Sequence, residues 1–303
     1  MNRSYVDTVN LMLDVAPHVF RGPHFAMKGG TALNLFVHDM PRLSVDIDVV
    51  FVDRLPPREV ALKTIKDELT RLSDELQSKG FGVSPIGLRG DDVKFTVSRN
   101  NVPVKVDVNH VFRGTLLPVE QRKLAGRARE MFTRDLEVPV IAEDELYGGK
   151  IVAALDRQHP RDFFDVREML TQQRFGGRAV DCVVCYLAGH DKSVPGVLFS
   201  PDIDLRSKFE NEFEGMTSEP VSLKELEDAR AEMRRALAEG LEDRHKQFLL
   251  SLVRATPDWG LMPFDCLSEM PALRWKLQNL ENLKKKNPKK FQLEHDELAR
   301  RFG

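Results

Sequence analysis

Asp46 and Asp48 stand one residue apart in the run 42–52, RLSVDIDVVFV. In an extended chain successive side chains point to opposite faces, so Ser44, Asp46 and Asp48 share one face and Val45, Ile47 and Val49 the other. The apolar face can pack on a core while the polar face carries two adjacent carboxylates. Ionising both is costly unless a cation sits between them. Oxygen-only donors of this kind suit Mg²⁺, which keeps several waters and is shared with substrate phosphates. Just upstream lies Gly29-Gly30-Thr31. Glycines let a backbone approach a phosphate closely, and a helix beginning at Thr31 would aim its first N–H groups at it. A phosphate turn followed by a metal-binding acid pair is the chemistry of nucleotidyl transfer. Taken singly, an Asp-x-Asp is a solvated strand end and a Gly-Gly is a turn; their order and closeness carry the reading.

A third carboxylate strengthens it. In 103–108 Val104, Val106 and Val108 face one way, and Lys105, Asp107 and Asn109 the other. If this strand neighbours the first, Asp46, Asp48 and Asp107 surround one or two metal ions, as in-line displacement at phosphorus requires; the alternative for Asp107 is a polar residue on an exposed sheet face. A second constellation begins at Glu143. Residues 143–157 (EDELYGGKIVAALDR) and, after His159-Pro160, 161–170 (RDFFDVREML) read as two helices. Asp162 and Asp165 are three apart and Arg161 and Asp165 four, so these side chains share a face. Lys150 could meet a triphosphate as a point charge, and Asp165 either binds base or ribose or holds Lys150 in place. The competing reading is two helices laced by ordinary salt bridges.

The elements that would position these groups follow from periodicity. Apolar positions recur at helical spacing over 4–20 and 58–79, with Gly80 ending the latter. A short strand over 25–27 enters the glycine turn, a short buried helix over 33–37 follows it, and 93–97 alternates as a strand into an Asn100-Asn101 hairpin turn. Residues 81–86 form a weak strand and 138–141 another. The basic cluster Arg122, Lys123, Arg127 and Arg129 reads as a solvated helix face, with phosphate contact as the alternative. Beyond 171 come helical stretches over 181–188, 223–241, 245–253 and 272–283, with a lysine-rich run at 284–290, either solvated or suited to phosphate attraction. The 303 residues suffice for two domains, expected at 1–142 and 143–303. No apolar run is long enough for a membrane helix, and the N-terminus lacks a signal-peptide pattern, so the cytoplasm is the default. The three cysteines exclude a disulfide scaffold, and Cys182 and Cys185 read as helix core. The net charge of −2 neither announces nor excludes a nucleic-acid partner.

The ordered set Lys28-Gly29-Gly30-Thr31-Ala32-Leu33, Arg42-x-Ser44-x-Asp46-Ile47-Asp48, Glu145-x4-Lys150-x2-Ala153 and Arg161-Asp162-x2-Asp165 resembles the AbiEii-type nucleotidyltransferase toxins, the MenT group included. The resemblance covers roughly residues 20–170. It implies an α+β fold, a DNA polymerase β-like core of mixed sheet and flanking helices followed by a helical C-terminal domain that contributes Lys150 and Asp165. It also implies the toxin of a bacterial toxin–antitoxin pair, which uses an NTP and Mg²⁺ to add NMP to the 3′ acceptor end of tRNA and so blocks aminoacylation and translation. By motif, Gly29, Gly30, Thr31, Ser44, Lys150 and Arg161 would hold nucleotide, Asp46 and Asp48 metal, and Asp165 would complete the catalytic pocket; Asp107 as a third metal ligand is read from the strand pattern alone. The family's first motif is often Gly-Ser, where this chain has Gly-Gly. A cognate antitoxin and a monomeric chain are expected. The alternatives are transfer to a protein or small-molecule acceptor, and nucleotide binding without turnover.

Overall fold

The computed structural model describes residues 3–85, 87–89, 92–109 and 112–303. It divides into two compact units. The first comprises Met1–Leu146 and Phe213–Val221, the second Tyr147–Glu212 and Ser222–Gly303. The division falls inside a helix, at 146/147, and a short later segment returns to the first unit.

The first unit is a mixed sheet with flanking helices. Its strands are β1 (Phe25–Lys28), β2 (Asp46–Phe51), β3 (Gly82–Val83), β4 (Gly87–Arg89), β5 (Asp92–Arg99), β6 (Val102–Asn109), β7 (Glu120–Lys123) and β8 (Glu137–Val140). They run in the order β3-β5-β6-β2-β1-β8-β7, with β4 pairing β5. β2 lies antiparallel to β1 and parallel to β6. Period-two alternation sets the buried face: Met27, Ile47, Val49, Phe95, Val97, Val104, Val106 and Val108 are all buried on it. Asn100 and Asn101, with φ of 52° and 64°, close the β5–β6 hairpin in a two-residue turn, as the Asn-Asn pair predicts. Ile86, the expected end of the weak strand, lies outside the described residues.

Helices of this unit are α1 (Arg3–Val19), α2 (Gly29–Ala32), α3 (Arg58–Ser78) and α4 (Gly126–Phe132). A π-helical turn, Leu33–Val37, extends α2. α3 buries Ala61, Ile65, Leu69, Leu72 and Leu76, the stripe its sequence sets out. α5 (Glu143–Arg157) begins in this unit and ends in the next. Arg122 and Lys123 correct the helix-face expectation: they belong to β7, because strand pairing with Glu137 and Val138 of β8 takes over a segment with no periodicity of its own.

The second unit is helical: α6 (Pro160–Thr171), α7 (Gly177–Ala188), α8 (Val194–Leu198), α9 (Arg206–Glu212), α10 (Leu223–Gly240), α11 (Asp243–Val253), α12 (Pro271–Lys286) and α13 (Pro288–Phe302). Local signals fix several ends. Ser222 and Glu225 form a reciprocal capping box at α10, and Pro160, Pro271 and Pro288 occupy first helical turns. Cys182 and Cys185 are buried on α7. Among the described residues no helix is long and apolar enough to cross a membrane.

Candidate active site

In the first unit the carboxylate strand β2 is central, and its polar face holds an ordered row of charge. Register places Lys28 of β1 beside Asp48, Asp48 beside Asp107 of β6, and Asp107 beside Lys94 of β5. One step along, Asp46 lies beside Lys105. Partners in register project to the same face, so the two acids of β2 lie between lysines contributed by the strands on either side. Asp46 and Asp48 are both half-buried. Among the described residues nothing pairs with the Asp46 carboxylate.

Asp107 stands beside this pair on β6. It flanks Asp48, and its carboxylate is ion-paired with Lys94 at 2.9 Å. Among the described residues no three His, Cys, Asp or Glu side chains are grouped so as to hold a metal ion. The third acid has a cation beside it. A pair still fits Mg²⁺, which takes one or two protein carboxylates and fills its octahedron with water and substrate phosphate.

The glycine turn is shaped by that strand. Gly29 has φ of +74°, and a Cβ there would lie 2.0 Å from Asp48 Oδ2. A Cβ on Gly30 would lie 2.9 Å from Arg42 Nη2 and 3.1 Å from Ser44 Oγ. The turn lacks side chains because three groups of the carboxylate segment pack over it. Arg42, 2% exposed, also donates Nη1 to the Leu43 carbonyl at 2.9 Å. Thr31 is fully buried, and its hydroxyl donates to the Asp46 carbonyl at 2.5 Å. That bond ties α2 to β2 and uses the hydroxyl proton. Ser44 is buried as well.

In the second unit α5 and α6 meet through a buried ion network. Lys150 Nζ lies 3.0 Å from Asp162 Oδ1 and 2.9 Å from Asp165 Oδ2. Lys150 is 6% exposed and the two acids 0% and 1%. Asp162 also accepts the fork of Arg157, Nε at 2.5 Å and Nη2 at 2.7 Å. Burial pushes the Asp162 carboxyl up, but the charges of Lys150 and Arg157 and their hydrogen bonds outweigh it and hold the group well below the usual carboxylate range. Asp165 is placed to hold Lys150, one of the two roles open to it. The central acid is Asp162, which touches both cations; the Arg157 and Asp162 spacing, five residues across a helix break, was the signal for it. The α6 N-terminus is set by His159, whose Nδ1 accepts from the Arg161 amide. The Arg161 guanidinium itself is half-buried and forms no ion pair among the described residues.

Comparison with known proteins agrees with this construction. The structure is similar to that of MenT4, a nucleotidyltransferase toxin of Mycobacterium tuberculosis H37Rv, with a TM-score of 0.61 at 14% identity over 92% of this chain and 95% of that one. At that identity the likeness shows the fold: α+β, mixed sheet, flanking helices and helical C-terminal region. No curated protein sequence matches the chain. The family model described as nucleotidyl transferase AbiEii toxin, type IV TA system, matches residues 10–279. With nine-tenths of its length under that model, the chain belongs to the AbiEii family of nucleotidyltransferase toxins.

Proposed function

We propose that this nucleotidyltransferase transfers NMP from an NTP to the 3′ acceptor end of tRNA, and that the loss of acceptor function halts translation until a cognate antitoxin intervenes. The observation that carries the reading is the juxtaposition of Gly29 with Asp48 on the polar face of β2, beside Asp46, whose carboxylate has no partner among the described residues. Asp46 and Asp48 would hold Mg²⁺, which when bound neutralises phosphate charge and lowers the pKa of an attacking hydroxyl. The chain's own groups do the rest. Amides of the Gly29-Gly30 turn receive phosphate oxygens. Lys150 gives two of its three N–H groups to Asp162 and Asp165; the third is assigned to the leaving pyrophosphate. Arg161, which forms no ion pair among the described residues, is assigned to the nucleotide.

The test incubates purified protein with total tRNA, Mg²⁺ and each α-³²P-labelled NTP in turn, followed by a denaturing gel. A labelled tRNA band is expected with at least one NTP. Asp46→Ala and Asp48→Ala are expected to lower it at least about a thousandfold, the scale of the several kcal/mol that metal-held charge supplies. Label appearing on protein or on a small molecule instead of tRNA would replace the acceptor; nucleotide binding with no transfer to anything would leave a binding protein.

A further inference from the structure

We infer that the junction of α12 and α13 is a docking point for the phosphate backbone of an RNA; the inference rests on the reading of the acceptor as RNA. Lys284, Lys285, Lys286, Lys289 and Lys290 lie within seven residues around Asn287, and all five are exposed. Among the described residues none of them forms an ion pair. Several surface lysines elsewhere have carboxylate partners, while exposed Lys66, Lys79 and Lys123 form no ion pair among the described residues. Lys63 meets Asp67 at 3.1 Å, Lys94 meets Asp107 at 2.9 Å, and Lys192 and Lys224 meet Asp156 and Asp228 at 2.5 Å each.

Helix electrostatics explain only part of the cluster. Lys284, Lys285 and Lys286 form the last turn of α12, where free carbonyls attract cations. Lys289 and Lys290 occupy the first turn of α13, a 15-residue helix whose positive end repels them. The junction is also ordered. Asn287 Oδ1 accepts from the Lys290 amide at 3.0 Å, and Lys284 Nζ lies 5.6 Å from the centre of the Phe291 ring. Five like charges at a fixed point, two of them set against a helix dipole, raise the energy of the free protein. A polyanion removes that cost and gains counter-ion release with each phosphate neutralised. Lysine suits the purpose because it follows a backbone as a point charge without reading bases.

The test uses the full-length protein with Lys285, Lys286, Lys289 and Lys290 all changed to Gln, and a second variant with all four changed to Arg. All four side chains are exposed, and matched melting curves check folding. Binding is read by anisotropy of fluorescein-labelled tRNA over a salt series. The Gln variant is expected to bind at least about tenfold more weakly at ~0.1 M salt, with the slope of log K against log salt smaller by about 3; the Arg variant keeps both. In the transfer assay the Gln variant raises KM for tRNA and leaves kcat unchanged. Unchanged affinity and slope in the Gln variant, or no RNA binding by the wild type, overturns the inference. So does poly-L-glutamate binding as tightly as RNA and lost in the same variant, which assigns the junction to an acidic protein. Wild type that binds tRNA through these lysines but transfers nothing to it removes the proposed reaction and leaves the docking point; transfer with unaltered binding in the Gln variant does the reverse.

Discussion

Gly29 combines a left-handed backbone with a neighbour where its side chain would be, and the two constraints act on different measurements. The φ of +74° makes any L side chain strained, by about 1–3 kcal/mol. The clash with Asp48 extends from Oδ2 at 2.0 Å back to its Cβ at 2.9 Å, so swinging the carboxylate does not clear it. Gly29→Ala is therefore expected to lower the melting temperature by several degrees and transfer by more than about a hundredfold. Gly30→Ala meets only the far ends of Arg42 and Ser44 and should cost less on both scales; equal losses in the two variants would sink the assignment of Gly29 to Asp48. Asp162 makes a pH-dependent claim. Its carboxyl is depressed on folding, so its contribution is complete above the unfolded value of about 4 and drains as the pH falls further. Asp162→Asn should cost about 3 kcal/mol at pH 7, the lower end for a broken buried pair because Asp165 still holds Lys150. Urea melts from pH 7 to pH 3 should show the wild type losing its advantage only at the acid end; parallel curves throughout would show that Asp162 is not the titrating group.

Between elements, the tightest constraint is the approach of α7 to α5. A Cβ on Gly148 would lie 2.6 Å from Cys182 Cβ and 2.9 Å from the backbone C of Cys182 and N of Val183. Backbone cannot give way as a side-chain end can, so Gly148→Ala should destabilise by about 1–3 kcal/mol. The adjacent Gly149 meets only the Tyr186 ring at 3.4 Å. There the helix propensity of alanine should offset the contact, leaving Gly149→Ala within about 1 kcal/mol of wild type. Paired denaturant melts decide it, and a similar loss in both would mean that α5 simply does not tolerate alanine. Much at this scale was legible in the sequence. α5 has the bounds its periodicity sets, α3 and α6 agree within a residue at each end, and β2, β5 and β6 follow their alternation. What was hidden depends on partners. β7 (EQRK) is a strand because β8 pairs with it. The ion pair that takes Asp107 needs the β5–β6 register, which no property of either strand alone supplies. α13 was missed because it buries only Phe291, His295 and Leu298, and its opening lysines read as a surface patch.

For the molecule as a whole, the feature least visible in the sequence is the return of Phe213–Val221 to the first unit. This segment has no periodicity and no turn signature that would tie it to residues some 173 to 177 positions earlier. It is held there by backbone and packing. The Leu43 amide donates to the Met216 carbonyl at 2.9 Å, the Ser218 amide to the Pro41 carbonyl at 3.1 Å, and Arg42 forms a bridge with Thr217. Phe213 and Met216 are 2% and 1% exposed. The loop so clamped, Pro41–Leu43, leads directly into Ser44, Asp46 and Asp48, so the return segment anchors the approach to the carboxylate strand. A fragment ending at Leu146 would keep every strand of the sheet yet lose this clamp, exposing two large apolar side chains' worth of contact and leaving the Leu43 amide without its partner. Each buried side chain removed costs about 2–5 kcal/mol, a large share of the 5–15 kcal/mol that holds a typical domain. Residues 1–146 alone should therefore melt well below the same fragment carrying 213–221 on a flexible Gly/Ser linker, and the difference should vanish when Phe213 and Met216 in the fusion are changed to Ser. Equal melting of the bare fragment and the fusion would mean that the return segment rides on the first unit without supporting it, and that the sheet holds its carboxylate strand unaided.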